Sequence, residues 1–215
     1  MVGPQRPLFV LFGSSIVQLS FSNGGWGTIL SAIYARKMET DDSSTQPSLV
    51  IVYFGGNDSM GPHSSGLGPH VPLPEYIENM RKIAIHLKSL SDRTRIIYLS
   101  CPPVNETTVR ENTSSYFSQL VRTNELCRLY SEACVDLCRE MDVKDGVHLS
   151  AEGSKVVVEE ILSMLKQTDW EPNLHWKSMP TEFSEDSPYD LVASDGKTTI
   201  IPRNGLSTEK SNGTS

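Results

Sequence analysis

Three short apolar runs, each closed by a turn-forming residue and each followed by residues at helical spacing, constrain this chain to an alternating α/β fold. Pro7-Leu-Phe-Val-Leu-Phe12 stops at Gly13, Ser48 to Phe54 stops at Gly55-Gly56, and Arg95 to Ser100 stops before Pro102-Pro103. Runs of this kind, without polar alternation, predict strands buried on both faces of a parallel sheet. Between them, Ile29, Leu30, Ile33 and Tyr34 recur at helical spacing within Gly27 to Arg36. Tyr76, Met80, Ile83, Ala84 and Leu87 do so between Pro74 and Asp92, with the proline at the first turn. A long helical pattern covers Tyr116 to Met141, and Ser150-Ala-Glu-Gly153 leads into a last helix through Val156, Val157, Ile161 and Leu165. Strands alternating with helices predict a parallel sheet with helices on its faces.

The 215 residues, 38% of them hydrophobic, suit a single domain. A formal charge of -7 repels phosphate backbones and anionic lipid surfaces, so no nucleic-acid partner is expected. No apolar run approaches the ~20 residues that span a bilayer, so no membrane insertion is expected. The start Met1-Val-Gly-Pro-Gln-Arg-Pro lacks the apolar core and cleavage site of a secretory signal, which predicts an intracellular, cytoplasmic protein. Cys127, Cys134 and Cys138 fall in one predicted helix at packing positions, and with Cys101 they predict neither disulfides nor a zinc site. Beyond Trp170 the apolar periodicity fades. The expected division is therefore a catalytic domain over 1–170 and a C-terminal extension over 171–215, largely disordered after about residue 195.

In an open parallel sheet, ligands bind outside the carboxyl ends of the strands. Gly13-Ser14-Ser15 follows the first strand, Gly55-Gly56-Asn57-Asp58 the second, and Asp145-Gly146-Val147-His148 precedes the last helix. A hydroxyl, an amide donor, and a base with a carboxylate are the parts of acyl transfer through a covalent intermediate. Each motif alone also reads as a turn: a helix cap at Gly-Ser-Ser, an Asx turn at Gly-Gly-Asn-Asp, and a solvated histidine at Asp-Gly-Val-His. It is their joint placement at one sheet edge that points to a site. His63 and His70, in the loop after Asn57, are rival bases, but neither has an acid at similar spacing.

The order and wording of these blocks resemble the GDSL (SGNH) esterase family, with Phe12-Gly-Ser-Ser-Ile16 as its first block, Gly55-Gly-Asn57-Asp58 as its oxyanion block and Asp145-Gly-Val-His148 as its last. The plant branch related to isoamyl acetate-hydrolysing esterase is the most similar. The resemblance runs from Leu8 to Leu165 and continues through Leu174-His-Trp-Lys and Glu185-Asp-Ser-Pro-Tyr-Asp. It implies a flavodoxin-like, three-layer SGNH hydrolase fold and a cofactor-free and metal-free hydrolase of small esters. By position it implies Ser15 as nucleophile, His148 as general base and then acid, and Asp145 as the group that orients the imidazole. The Ser15 N–H and the Asn57 side chain would form the oxyanion hole.

The chain departs from the family pattern in three places. Ser14 stands where the first block usually has aspartate. Only Met38 to Pro47 occupies the place where the family has a strand and loop carrying an oxyanion-hole glycine, and a strand plus a helix with connections needs roughly 20 residues or more. Before Asp145, Val135 to Val143 runs almost directly from helix into the catalytic loop, without the usual strand and helix. One or two strands are therefore expected to be missing; loss of a central strand would expose two sheet edges. The alternatives to an esterase are a catalytically impaired family member that acts by binding, and a flavodoxin-like module holding phosphate at Gly13-Ser-Ser15.

Overall fold

The computed structural model describes residues 6–38, 46–111, 121–146, 153–182, 184, 187–189, 191–192 and 199–200. Pro7 to Met179 form one unit, and the two chain ends, Met1–Arg6 with Pro180–Ser215, form another. The first unit is an α/β/α sandwich around a four-stranded sheet in the order β1-β2-β3-β4: Phe9–Gly13, Leu49–Tyr53, Arg95–Leu99 and Lys144–Gly146. All three pairings are parallel, and Gly13, Tyr53, Leu99 and Gly146 stand side by side at the carboxyl edge.

Successive strand residues face opposite sides, and the core divides accordingly. Leu49, Ile51 and Tyr53 of β2 and Ile97 and Leu99 of β3 pack with α2 (Trp26–Ile33) and α6 (Ser154–Gln167). Val50, Val52, Ile96 and Tyr98 face α3 (Leu73–Leu90) and α5 (Asn124–Met141). Two shorter helices, α1 (Ser15–Gln18) and α4 (Glu106–Glu111), lie in the connections after β1 and β3. Cys127, Cys134 and Cys138 occupy the buried stripe of α5, and these three and Cys101 are buried without being joined in disulfides. Helix α5 starts at Asn124, later than its periodicity suggests, because the Thr123 side chain caps it by accepting the Leu126 N–H at 3.2 Å. Residues 116–120 of that predicted helix lie outside the described residues.

Three expectations require correction. β1 is an edge strand, less buried than the fully covered β2, and Phe12 is 44% exposed, so this strand is not buried on both faces. Its five residues pair directly with β2, which leaves no room for a strand between them. In the flavodoxin-like order 2-1-3-4-5 the second strand lies outside the first, so shortening Met38–Pro47 opens one edge of the sheet and removes no central strand. The second correction concerns the strand before the catalytic loop: Lys144, Asp145 and Gly146 themselves form β4 against Ile97, Tyr98 and Leu99. Asp145 is thus a strand residue, not a turn residue. The third is the domain end, which lies at Met179 and not at Trp170. Leu174 and Met179 are buried in the α2–α6 core, and Tyr34 donates its hydroxyl to the Leu174 carbonyl at 2.9 Å.

In the second unit, Arg6 pairs with Glu182 at 2.8 Å, and Leu191–Val192 (β5) pairs antiparallel with Thr199–Ile200 (β6). Among the described residues no helix is long and apolar enough to cross a membrane.

Candidate active site

The row Gly13–Tyr53–Leu99–Gly146 carries the loops with chemistry. Past Gly13 the chain keeps hold of β2 for one more step, the Ser14 N–H donating to the Tyr53 carbonyl at 3.2 Å, and then turns into α1. That turn requires a glycine at 13, where a Cβ would stand 2.3 Å from the Tyr53 oxygen. Ser15 is the first residue of α1 and is exposed. Its backbone N–H is among those a helix start leaves without an intrahelical acceptor.

Ser15 lines a cleft of about 460 Å³ with Ile16, Leu19, Trp26, Pro102 and Pro103 on its walls, and with Gly153, Ser154 and Val157 at the start of α6. His148 lies outside the described residues, in the connection 147–152. That connection is anchored at β4 on one side and, at Gly153, on the cleft of Ser15 on the other. The backbone of Asp145 is placed in β4, three strand spacings or about 14 Å across the sheet from β1. A larger cleft of about 490 Å³ lies where β3 and β4 begin, lined by Lys88, Arg95, Lys144 and Trp170. It sits at the amino edge, away from the strand ends where such sheets bind ligands.

Asn57 is exposed on the turn after β2. Gly55 starts that turn at φ 116°, where a side chain would be strained. Its N–H donates to the Asp58 carboxylate at 3.0 Å, and its carbonyl accepts from the Ser59 N–H at 2.8 Å. The Asp58 carbonyl accepts from the Val71 N–H at 3.3 Å and meets His70 Nδ1 at 3.1 Å. His70 Nδ1 is thereby engaged in holding the turn, His63 Nδ1 is engaged with Ser65 Oγ at 2.6 Å, and neither rival base lines the cleft of Ser15.

Beneath the turn lies a cluster that sequence reasoning missed: the buried Tyr53, Ser59, Cys101 and Cys127, with the half-buried Arg122 beside them. Ser59 Oγ donates to the Gly56 carbonyl at 3.3 Å and stands 3.5 and 3.8 Å from the sulfurs of Cys101 and Cys127. The hydrogen bond from Cys101 to Cys127 holds the Cys101 thiol well up and pulls Cys127 down. Burial drives the Tyr53 phenol up against the pull of Arg122. The signal available in the sequence was the spacing of Cys127 and Tyr130 on one helix face, which says nothing of what that face meets. Pro102 and Pro103, read only as a strand terminator, are walls of the cleft.

Residues 37–161 match the model of the GDSL-like lipase/acylhydrolase family. The GDSL esterase/lipase WDL1 of Oryza sativa is 60% identical over 241 aligned positions, covering 93% of each chain. Since 93% of 215 residues is about 200, about 40 positions of the rice protein face gaps here, in keeping with the two shortened connections. The isoamyl acetate-hydrolyzing esterase 1 homolog of Bos taurus is 24% identical over 205 positions, covering 75% of this chain and 82% of its own. Among solved structures, Axe2, an acetylxylan esterase from Geobacillus stearothermophilus, matches with a TM-score of 0.50 at 16% identity, over 76% of this chain and 95% of that one. That likeness is one of fold.

Proposed function

Because this chain belongs to the GDSL-like lipase/acylhydrolase family, we propose that it cleaves carboxylic esters of small or short-chain acyl groups through an acyl-enzyme on Ser15. The observation that carries this reading is the cleft shared by Ser15 and the first residues of α6, at the edge where all four strands end. A serine hydroxyl is a poor nucleophile until a base takes its proton. His148 would take it as Ser15 Oγ attacks the ester carbonyl, then return it to the departing alcohol. Water deacylates the enzyme by the same sequence. Asp145 would fix the imidazole tautomer. The Ser15 N–H and the Asn57 amide would hold the oxyanion, one such donor contributing about 2.7 to 4 kcal/mol. The apolar walls Leu19, Trp26 and Pro102 suit a hydrophobic ester, and the isoamyl acetate-hydrolyzing relative suggests a small one.

A second reading, a catalytically impaired binding protein, is favoured by one observation: Asp145 is drawn into β4 by its pairing with Tyr98. Fluorophosphonate labelling separates the two. Labelling of the folded wild type, lost in Ser15→Ala and His148→Ala, is the expected result. A protein folded by circular dichroism that takes no label overturns the esterase assignment, and p-nitrophenyl acetate turnover that survives Ser15→Ala overturns Ser15 as its nucleophile.

A further inference from the structure

The polar groups under the Gly55–Asn57 turn have no part in the chemistry above, and one of them, the half-buried Arg122, is a charge. Arg122 Nη2 donates to the Gly56 carbonyl, which also accepts from Ser59 Oγ at 3.3 Å. Its Nε and the Tyr53 hydroxyl are both buried and, among the described residues, without hydrogen-bond partners. The fit around Gly56 is close: a Cβ there would stand 2.5 Å from the Tyr53 hydroxyl and 3.1 Å from Arg122 Nη2. Arg122 as a whole is half-buried, and leaving its buried Nε–H unmatched is costly, so an arginine held in this way points to something a neutral residue would not supply.

What it controls follows from peptide geometry. The carbonyl of Gly56 and the N–H of Asn57 belong to one planar trans unit and point in opposite directions. With the carbonyl drawn inward to Arg122, the Asn57 N–H is turned away from the buried cluster. We propose that Arg122 is a positioning residue for the oxyanion hole: it pins the Gly56–Asn57 peptide so that Asn57 is presented at the catalytic edge. The Ser59 N–H bond to Gly55 and the Met60 N–H bond to Asn57, at 2.8 and 3.1 Å, close the same turn. Arg122 stands just ahead of α5, and its bond to Gly56 ties that turn to the helical layer of α3 and α5.

This inference rests on the esterase reading for its catalytic part only, and two measurements keep the parts separate. In kinetics, Arg122→Gln should lower kcat about 10- to 100-fold with KM little changed, less than the roughly 10²- to 10³-fold of a deleted oxyanion donor. Arg122→Lys, which keeps a cationic donor for the Gly56 carbonyl, should recover part of that loss. The double variant Asn57→Ala/Arg122→Gln should be no slower than Asn57→Ala alone, because Arg122 acts through Asn57. Losses that multiply in the double variant would overturn the proposal. In hydrogen exchange, the Ser59 and Met60 amides should exchange faster in Arg122→Gln, and detectably so in Arg122→Lys should the glutamine variant not fold, while the β2 amides stay protected. Unchanged exchange at Ser59 and Met60 refutes the clamp whether or not the protein turns over esters. Faster exchange in a protein that hydrolyses nothing leaves the clamp standing and removes the esterase reading.

Discussion

Replacing Gly13 with alanine would push a methyl group into the neighbouring strand. The new Cβ would meet the Tyr53 carbonyl oxygen at 2.3 Å and Val17 Cγ2 at 2.8 Å, and the oxygen is backbone, which has no rotamer to yield. Relief requires β1 and β2 to part by roughly 1 Å at that point. Overpacking of this kind costs about 1–3 kcal/mol. Parting also weakens the Ser14 N–H bond to the same oxygen, worth about 1 kcal/mol. The expected loss is therefore about 2–4 kcal/mol, a large share of the ~5–15 kcal/mol that stabilises a domain. Among the described residues β1 has a strand neighbour on one side only, so it yields by peeling from β2 at its carboxyl end, where Ser14 and Ser15 are carried. Urea titration of Gly13→Ala against wild type, followed by far-ultraviolet circular dichroism, reads the stability change from the midpoint if the slopes agree. Fluorophosphonate labelling of the folded variant reads the displacement of Ser15. A loss under about 0.5 kcal/mol with full labelling would refute the close-approach argument, since it would mean the contact is relieved without cost.

Two further outcomes follow from the packing of the C-terminal part of the first unit. Truncation after Trp170 should destabilise the first unit by several kcal/mol, since it removes Leu174 and Met179 from the core at about 1.5–3 kcal/mol each. Truncation after Met179 should not, and equal midpoints for the two truncations would show that 171–179 contributes nothing. His175 is held below its usual pKa by burial first, then by Lys177 and Lys166. The unfolded chain therefore takes up the proton first, and the stabilisation present above about pH 6.5 is lost as pH falls toward the folded value. Stability of His175→Gln measured from neutral pH down to about 5.5 should fall less steeply than that of wild type; parallel slopes would remove His175 as the cause.

Much of this protein is legible along the chain because the signals are local. The apolar runs at Pro7–Phe12, Ser48–Phe54 and Arg95–Ser100 and the periodicity of α2, α3 and α6 identify the elements. The turn residues then place Ser15 and Asn57 just past strand ends. Edges and partners are not local properties. Phe9–Gly13 reads as a covered strand because its composition is apolar, yet its exposure depends on whether another strand lies outside it. Lys144-Asp145-Gly146 has no strand propensity and becomes β4 because Ile97, Tyr98 and Leu99 offer an open ladder. Leu174 and Met179 lack helical periodicity because they fill a gap between two helices and belong to neither. Arg122 and Gly56 are 66 residues apart and meet only once α5 has packed on the sheet. By itself the sequence determined the elements, the family and the order of the loops, since periodicity and turn chemistry act over a few residues. Which strand is an edge, which residues complete the sheet, and which arginine meets the Gly56 carbonyl were decided by tertiary structure, since those depend on what each surface is packed against.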